Sequence, residues 1–299
     1  MRRLRIQSFL LVILALLAGA ILLSLWQAAN HVLAVTFLDV GQGDSIIIKS
    51  PAGRAVLIDG GPVGEYGGRS DVASRIIIPA LLLSGITRLD AVVLTHPHDD
   101  HLGGLPAVIE NVPTSMMLVR QNGEGAESHL FRRLLDVAQR RGVPVVQACA
   151  GQVLDLGAGA RCQILHPGPQ PVIGGHSDVN NNSIVMRLTC RQVSFLLPGD
   201  LEGEGEQWLL SCRPDLASTV LKVAHHGSES ATSEAFLRAV RPRLAVISVG
   251  RSNRFGCPRA VTLARLRAHQ ARILRTDLDG AITVLTDGKR WRVHTYGHR

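Results

Sequence analysis

Seven consecutive residues concentrate metal-binding side chains in one short segment. Residues 95–101 are Thr-His-Pro-His-Asp-Asp-His, and they directly follow Ala91–Leu94, an apolar stretch typical of a buried strand. Imidazole and carboxylate groups without a thiolate suit zinc or manganese. The alternative is a polar histidine-rich turn, but three histidines and two aspartates in six positions are rare by chance. The segment therefore predicts a metal site in an irregular loop at a strand end, because a regular helix or strand would not aim all these groups at one point.

Two later strand ends carry further candidate ligands. The apolar stretch Phe195–Leu197 is followed by a turn that ends in Asp200, and Val220–Ala224 is followed by His225 and His226. Folds of the α/β type place their sites at the carboxyl ends of strands. A turn aspartate or a histidine pair would be a weak signal alone. Together with residues 95–101, they predict a single site built from several strand ends.

The remaining pattern predicts an α/β (or α+β) fold in which sheets are sandwiched between helices. Helical stretches and apolar strands alternate through most of the chain, and no Pro/Gly/Ser-rich linker divides residues 32–299, which we expect to form one domain. We predict helices at 70–83, 102–110 and 128–141, mostly strand over 152–198, and strand over 273–294 with a hairpin at Asp287-Gly288.

The first 31 residues have the composition of a membrane anchor. Residues 9–26 are apolar except for Ser24, and as a helix they would span roughly 27 Å, about the thickness of a bilayer core. Arg2, Arg3 and Arg5 precede this segment, and the next lysine or arginine is Lys49. The positive-inside rule then predicts a single-pass protein of the cytoplasmic membrane, with residues 32–299 on its outer side, periplasmic or extracellular.

A cleaved signal peptide is the alternative for the same segment. Residues 18–20, Ala-Gly-Ala, fit a small-x-small cleavage site, and the mature chain would then be secreted. The apolar residues 21–25 that follow would make a poor mature N-terminus. We therefore favour an uncleaved apolar helix over residues 9–26 as the contact with the membrane.

Charge is distributed unevenly along the chain. The net charge is +8, and residues 238–299 contain 14 lysines and arginines against three aspartates. This basic segment favours an anionic partner such as nucleic acid, although arginines on an ordinary solvated surface give the same count.

The five cysteines are scattered and form no Cys-x-x-Cys pair, which excludes a zinc ribbon and argues against a disulfide framework.

Taken together, these motifs resemble the hydrolase domain of the ComEC family of bacterial DNA-uptake channels, which has the metallo-β-lactamase fold. The resemblance covers residues 32–294 and implies a four-layer αβ/βα sandwich. The multi-helix channel of ComEC proteins has no counterpart in these 299 residues, so we expect a stand-alone hydrolase domain on one anchor. The residues that carry the resemblance are 37–45 (Phe-Leu-Asp-Val-Gly-Gln-Gly-Asp-Ser), 57–61 (Leu-Ile-Asp-Gly-Gly), 95–101, 181–183 (Asn-Asn-Ser), 197–200 (Leu-Pro-Gly-Asp), 222–228 (Lys-Val-Ala-His-His-Gly-Ser), 275–277 (Arg-Thr-Asp) and 279–281 (Asp-Gly-Ala).

The resemblance implies two divalent metal ions, zinc or manganese, and a ligand for most of their positions. The implied ligands are His96 and His98 for one ion, Asp100, His101 and His226 for the other, and Asp200 as a bridge between them. His225 would face the substrate, although His225 and His226 could be exchanged. The third ligand of the first ion has no clear match. His166 and Asn182 are the candidates, with Asn182 preferred as a nearby polar group.

Other residues are implied to support the site or to contact the substrate. Asp44 and Asp59 would hold the metal ligands by hydrogen bonds, unless they only form turns. Ser228, Asn182 and Lys222 are candidate phosphate contacts. Cys257 stands where family members usually have histidine; it is either a half-buried filler, a substrate-facing group or a thiolate ligand of a metal.

The function we expect is hydrolysis of a DNA phosphodiester by a water that two metal ions activate, outside the cytoplasmic membrane. Asp100 and His225 are the expected catalytic residues, and His225 would protonate the leaving oxygen. A metallo-hydrolase acting on a small ester, lactone or lactam is one alternative, and a non-catalytic binding module is another. The presence of all six implied ligands argues against the binding module.

Overall fold

Two mixed β-sheets form the centre of the protein in the computed structural model, which describes residues 14, 17–19, 32–63, 72–120, 128–212 and 214–297. The first sheet has eight strands and the second has seven. In spatial order, the first sheet contains β15 (Trp291–Thr295), β14 (Ile282–Thr286), β1 (Leu33–Phe37), β2 (Ile46–Lys49), β3 (Ala55–Ile58), β4 (Ala91–Val93), β5 (Met117–Val119) and β6 (Val145–Gln147). The second contains β13 (Arg272–Arg275), β12 (Leu244–Ile247), β11 (Val220–Lys222), β10 (Val193–Leu197), β9 (Val185–Cys190), β8 (Ala160–His166) and β7 (Val153–Gly157).

Three apolar clusters show that the sheets and helices form four layers. One cluster lies between the sheets and includes Phe37 of β1 and Phe195 of β10, both fully buried. A second joins the other face of the first sheet to the helices Ala73–Leu83, Asp99–Leu102, Leu105–Asn111 and His129–Arg140, the first of which begins with the π-helical turn Ala73–Ile77. A third joins the second sheet to Gly203–Ser211, Glu234–Val240 and Ala260–Ala268. Burial of both faces of each sheet gives the expected αβ/βα sandwich.

Each sheet contains a parallel half whose carboxyl ends meet at one edge. In the first sheet β3, β4, β5 and β6 are parallel neighbours. In the second sheet β10, β11, β12 and β13 are parallel. The segments that follow β4, β10 and β11 contain every implied metal ligand. The fold therefore brings together residues that lie more than 100 positions apart in the chain.

Two expectations about local structure need correction. The metal-binding segment is not an irregular loop throughout, because Asp99–Leu102 forms a helical turn in which His101 and Leu102 donate backbone hydrogen bonds to the carbonyl of His98. The expected strand over 273–294 is interrupted by a second short helix, Thr276–Asp279. There the Asp279 carboxylate accepts the backbone N–H of Arg275 and turns the chain from the second sheet back to the first. The hairpin at Asp287-Gly288 joins β14 to β15 as predicted.

The predicted apolar helix over residues 9–26 lies outside the described residues, apart from residues 14 and 17–19, which are helical. Within the described part of the chain, no helix combines the length and the apolar character needed to cross a membrane.

Candidate metal centre

The carboxylate of Asp200 lies at the centre of the histidines that the sequence indicates. Its Oδ2 atom faces four imidazole nitrogens, namely Nε2 of His101 at 3.3 Å, of His226 at 3.4 Å, and of His96 and His225 at 3.9 Å. Asp200 is buried, with 2% of its surface exposed. Nε2 of His101 is also buried and makes no hydrogen bond despite its short distance to Oδ2. These side chains face a common point, which is the arrangement of metal ligands rather than of a hydrogen-bonded network.

The turn after β10 fixes the direction of Asp200. Gly199 has a φ of +58°, and a β-carbon there would lie 3.1 Å from the side chains of both Ser183 and Thr95, so the chain passes through a space that favours glycine. The Ser183 hydroxyl accepts the backbone N–H of Asp200 at 3.3 Å. On the opposite side, the Lys222 ammonium lies 3.4 Å from Oδ1 of Asp200 and donates to the carbonyl of Gly199 at 3.0 Å. Lys222 thus holds one carboxylate oxygen and leaves the other for the histidines.

Asp59, at the end of β3, orients the first motif. Its carboxylate accepts the backbone N–H and the hydroxyl of Thr95, at 2.8 and 2.7 Å, and Nδ1 of His101 donates to Oδ2 of Asp59 at 2.8 Å. This contact assigns the proton of His101 to Nδ1 and leaves Nε2 to face Asp200. A carboxylate behind a histidine is the arrangement that fixes ring orientation in metal sites. The supporting role implied for Asp59 fits this position.

The turn after β11 separates the two adjacent histidines. His226 is buried, Nδ1 donates to the carbonyl of Ser248 at 2.9 Å, and Nε2 lies 3.2 Å from Oδ2 of Asp100. The His225 side chain is 31% exposed, and its Nδ1 lies 2.8 Å from Oε1 of the buried Glu202. Both histidines have left-handed backbone, with φ of +48° and +52°, a strained conformation that persists only where surrounding contacts impose it. This placement favours His226 as the ligand and His225 as the substrate-facing group.

The remaining residues of the first motif lie at the entrance of the site. Nδ1 of His98 is 3.1 Å from Nε2 of His96, and His98 is half-buried whereas His96 is buried. His98 and Asp100 line a cleft of about 1140 Å³ together with Asp200 and His225. Three of the predicted ligands, His98, Asp100 and Asp200, therefore line an open cleft, where a substrate can reach them.

Electrostatic interactions in the site are strong because most of the groups are buried. Although burial raises the pKa of Asp200, the charges of His226, His101 and Lys222 lower it well below the ordinary value. Burial lowers the pKa of His101, but the carboxylates of Asp200, Asp59 and Asp100 raise it well above the ordinary value. Burial and the charge of His101 lower the pKa of His96 well below the usual range. His96 is therefore neutral beside the ionised Asp200, which is the state in which both groups bind metals, whereas His101 must release a proton when a metal binds.

The donor set fits a divalent cation. The ligand atoms of Asp100, His101, Asp200 and His226 all lie within 4.8 Å of one another. With the buried Asp44 and Asp59 nearby, several carboxylates share an interior region with the positive charge of Lys222, and buried carboxylates need a compensating cation. Imidazole and carboxylate donors suit zinc and manganese. The site therefore has the composition and the geometry of a metal centre.

The positions of two predicted supporting residues, Lys222 and Asp44, narrow the roles that these residues can have. Lys222 is fully buried and paired with Asp44 and Asp200, so it cannot contact a phosphate in the cleft, and its expected role as a substrate contact is not supported. Asp44 supports the site through this pair and lies 3.8 Å from Nδ1 of both His101 and His226.

Both candidates for the missing ligand of the first ion, Asn182 and His166, have side chains that are engaged elsewhere in the described structure. The Asn182 side chain is engaged by the backbone of Val172 and Asp178, which holds the loop over 172–178. Nδ1 of His166 donates to the carbonyl of Ser183, and its ring packs against Trp208. Nδ1 of His96 instead lies near two hydroxyls, that of Thr95 at 3.1 Å and that of Ser183 at 3.4 Å.

Ser228 and Cys257 lie beside the site. Both line a recess of about 200 Å³ together with Asp100, His225 and His226. The Ser228 hydroxyl is within 2.9 Å of the Ser230 hydroxyl. Cys257 is half-buried, and burial raises the pKa of its thiol, so the thiol is protonated at neutral pH in this setting. This position is compatible with a filler or a substrate-facing group, and a thiolate ligand would have to lose this proton to a bound metal.

Sequence reasoning missed Glu202, Ser183 and Ser248 as parts of the site. Glu202 follows Asp200 by two residues and precedes the helix Gly203–Ser211, so its position after the same strand end was the available signal. Ser183 was noted only as part of the resemblance. Ser248 acts through its backbone carbonyl, and because every residue has one, the sequence gives no sign of this role.

Comparison with known proteins identifies the family and the fold. The sequence profile of the Metallo-beta-lactamase superfamily matches residues 38–251. The chain is 33% identical over 258 residues to ComE operon protein 3 of Bacillus subtilis (strain 168), which covers 83% of this chain and 32% of that protein. It is 33% identical over 270 residues to Competence protein ComA of Neisseria gonorrhoeae, covering 89% and 34%. The chain thus spans about a third of the length of these relatives.

Among solved structures, CmlA, a diiron β-hydroxylase from Streptomyces venezuelae, superimposes with a TM-score of 0.54 and 15% identity, over 84% of this chain and 53% of that one. At this identity the likeness concerns the fold alone. It confirms the expected sandwich of two mixed sheets with flanking helices.

Proposed function

The chain belongs to the metallo-β-lactamase superfamily and is related to competence proteins, and from this premise we propose that it is a metal-dependent phosphodiesterase that cleaves DNA. The observation that carries the proposal is the convergence of four imidazoles on Oδ2 of Asp200 at the floor of an open cleft. A bridging carboxylate surrounded by histidines is what two adjacent divalent ions require.

The proposal assigns the ligands as the sequence predicts them. His96, His98 and Asp200 would hold one ion, and Asp100, His101, His226 and Asp200 would hold the other. When bound, two divalent ions supply an activated water and stabilise negative charge that develops on the phosphate. The protein provides the fixed orientation of the ligands, through Asp59 behind His101 and the Ser248 carbonyl behind His226.

His225 is the residue we assign to proton donation. Its side chain is partly exposed to the cleft, and Glu202 lies behind its Nδ1 at 2.8 Å. Burial lowers the pKa of His225, but the carboxylates of Glu202 and Asp200 outweigh it and raise the pKa. A protonated His225 would donate its Nε2 proton to the leaving oxygen of the phosphodiester.

DNA as the substrate is supported by the relatives and by the size of the cleft. One relative has a name that refers to competence, and the motifs resemble a family of DNA-uptake channels. A cleft of about 1140 Å³ is large enough to accommodate a segment of a polymer. Because the chain corresponds to a third of the relatives' length, transport of DNA is not part of the proposal.

We further propose that residues 32–299 act on the outer side of the cytoplasmic membrane. The support is the arginine-flanked apolar segment over residues 9–26, with the basic residues on one side of it. Extracellular DNA would then be the accessible polymer.

A substrate panel tests the proposed activity. The full chain is incubated with single-stranded DNA, double-stranded DNA, a nitrophenyl phosphodiester and a β-lactam, each with manganese, zinc or EDTA. We expect metal-dependent cleavage of DNA and of the phosphodiester, and no opening of the lactam. Hydrolysis of the lactam with intact DNA would replace this proposal with the small-molecule alternative.

A further inference from the structure

An aromatic ring stands exposed in the wall of the cleft. Phe255 is 50% exposed and lines both the large cleft and the recess that contains His225, His226 and Cys257. Single exposed apolar side chains are common on protein surfaces, so the significance of Phe255 comes from its place beside the metal ligands. Its position between the cleft and the recess makes the ring accessible to a substrate that reaches the metal ligands.

The loop that carries this ring, residues 250–257, is held by its own side chains. Oδ1 of Asn253 accepts the backbone N–H groups of Phe255 and Cys257, at 3.2 and 3.1 Å. Nδ2 of Asn253 donates to the carbonyls of Gly250 and Cys257, at 3.0 and 2.7 Å. The backbone N–H of Gly250 donates to the side chain of Gln42 at 3.1 Å, which ties the loop to the other sheet. The ring is therefore presented in a preorganised position, which lowers the entropy lost on binding.

The same loop supplies positive charge to the cleft. Of the described residues that line the cleft, two are arginines, Arg251 and Arg254, and both belong to this loop and are exposed. The Arg254 guanidinium lies 5.1 Å from the centre of the Phe255 ring, a cation–π distance. Arg251 lines the cleft and donates its Nε proton to the carbonyl of Asp277, a contact that does not use its terminal nitrogens. Asp39 and Asp99 line the same cleft and would repel a polyanion, so the polyanion would bind at the arginines of the loop.

We propose that loop 250–257 is a base-stacking platform that selects single-stranded DNA for the proposed phosphodiesterase site. A ring with arginines beside it matches the two parts of a single strand, because bases stack on the ring while phosphates contact the guanidinium groups. Bases inside a duplex are already stacked on their neighbours and cannot stack on Phe255 without being displaced. The inference rests on the proposed function, and it names the form of DNA that the site takes.

The test separates base stacking from charge. Binding is measured by fluorescence anisotropy with three labelled oligomers: a single strand, an abasic strand with the same number of phosphates, and a duplex. The full chain carries Asp200→Asn so that the oligomers remain intact. Phe255→Ala, Phe255→Trp and Arg254→Ala are compared with the parent. Tyr296→Ala, an exposed aromatic residue lining a different cavity, and Arg272→Ala, an exposed arginine on the edge strand β13, are the matched controls.

We expect Phe255→Ala to weaken binding of the base-containing single strand about tenfold and to leave the abasic strand unchanged. Phe255→Trp should retain the parent affinity. Arg254→Ala should weaken both strands and reduce the salt dependence of binding, and the two controls should change neither. Equal effects of Phe255→Ala on both strands, or none on either, would overturn the platform. Cleavage of DNA by the parent with intact Asp200 tests the proposed function separately, so the two failures are distinguishable.

Discussion

Asp200 performs two tasks with its two carboxylate oxygens. Oδ1 is held by Lys222, while Oδ2 faces the histidines of both sheets. Because the surrounding positive charges keep the pKa of Asp200 well below its ordinary value, the carboxylate is ionised at neutral pH. A buried, ionised and anchored carboxylate is available as a bridging ligand without rearrangement of the site.

Glu202 is expected to act through His225. We predict that Glu202→Gln lowers kcat about 10- to 100-fold while metal content stays unchanged, because the amide keeps the shape but loses the charge behind the imidazole. Since Glu202 raises the pKa of His225, its loss should shift the alkaline limb of the kcat profile to lower pH. Glu204→Gln is the control, because Glu204 is exposed and contacts Asn181 instead. An unshifted pH profile would show that Glu202 has no influence on His225.

The buried His166 should make the stability of the folded protein depend on pH. Burial lowers the pKa of His166 in the folded protein to about 4, against 6.5 for an ordinary histidine. The unfolded chain therefore takes up a proton at higher pH, so the stability contribution is complete above pH 6.5 and is lost as the pH falls toward 4. Between pH 7 and pH 5 the loss is roughly 2 kcal/mol. His166→Gln should reduce this loss in thermal unfolding experiments with EDTA, and an unchanged pH dependence would contradict the assignment.

At the level of residues, sequence reasoning identified the ligands that lie in segments unusually rich in histidine and aspartate. It missed the residues that lie in segments of ordinary composition. His96, Asp100, His101, Asp200 and His226 converge, as predicted from their strand-end positions. Lys222 was misplaced because its distance from the cleft depends on packing between the sheets, which no local pattern records. Glu202 and Ser248 were missed for the same reason, since each acts through one tertiary contact.

The element that most constrains the site is the turn after β11. Its residues His225, His226 and Gly227 all have positive φ, and this run points successive imidazoles in different directions. Such a conformation costs free energy in each non-glycine residue and depends on the packing around it. Gly227 is the position where the turn passes closest to another segment, since a β-carbon there would lie 2.6 Å from Cβ of Pro258.

Gly227→Ala should therefore destabilise the fold and disturb the ligand beside it. We predict a loss of about 1–3 kcal/mol in the free energy of unfolding, together with weaker retention of metal. The matched control is Gly53→Ala, because Gly53 has a similar φ of +79° but open space around its α-carbon. If both variants lose the same stability, backbone strain alone explains the effect and the contact with Pro258 has no role.

Buried strands were predicted better than short helical turns. The strands before each ligand segment were identified because buried apolar runs bounded by polar turns are a strong signal. The helical turns Asp99–Leu102 and Thr276–Asp279 were not, because a four-residue helix is too short to show a period of 3.6 residues. Their formation depends on side-chain contacts such as that of Asp279 with the backbone of Arg275.

At the scale of the whole molecule, the site belongs to both sheets. The first sheet provides Asp59 and residues 95–101, and the second provides Asp200, His225 and His226. The resemblance predicted this sandwich, whereas composition alone indicated only mixed α and β structure. The division into residues 1–31 and 32–299 and the position at the membrane remain predictions.

A reporter fusion tests the proposed location. We predict that a reporter enzyme that is active only outside the cytoplasmic membrane is active when fused after Arg299, because three arginines precede the apolar segment and no lysine or arginine follows it before Lys49. Replacing Arg2, Arg3 and Arg5 with glutamine should weaken this orientation. Activity of a reporter that works only in the cytoplasm would contradict the topology.

The most direct test of the central claim is the rate of DNA cleavage as a function of metal content in the parent and in Asp200→Asn. The account predicts no cleavage after treatment with EDTA, recovery of the parent when manganese or zinc is restored, and a loss of at least about 100-fold in Asp200→Asn with its fold intact. Undiminished cleavage by the metal-free parent, or parent-like cleavage by Asp200→Asn at full metal content, would contradict a metal-dependent phosphodiesterase centred on Asp200.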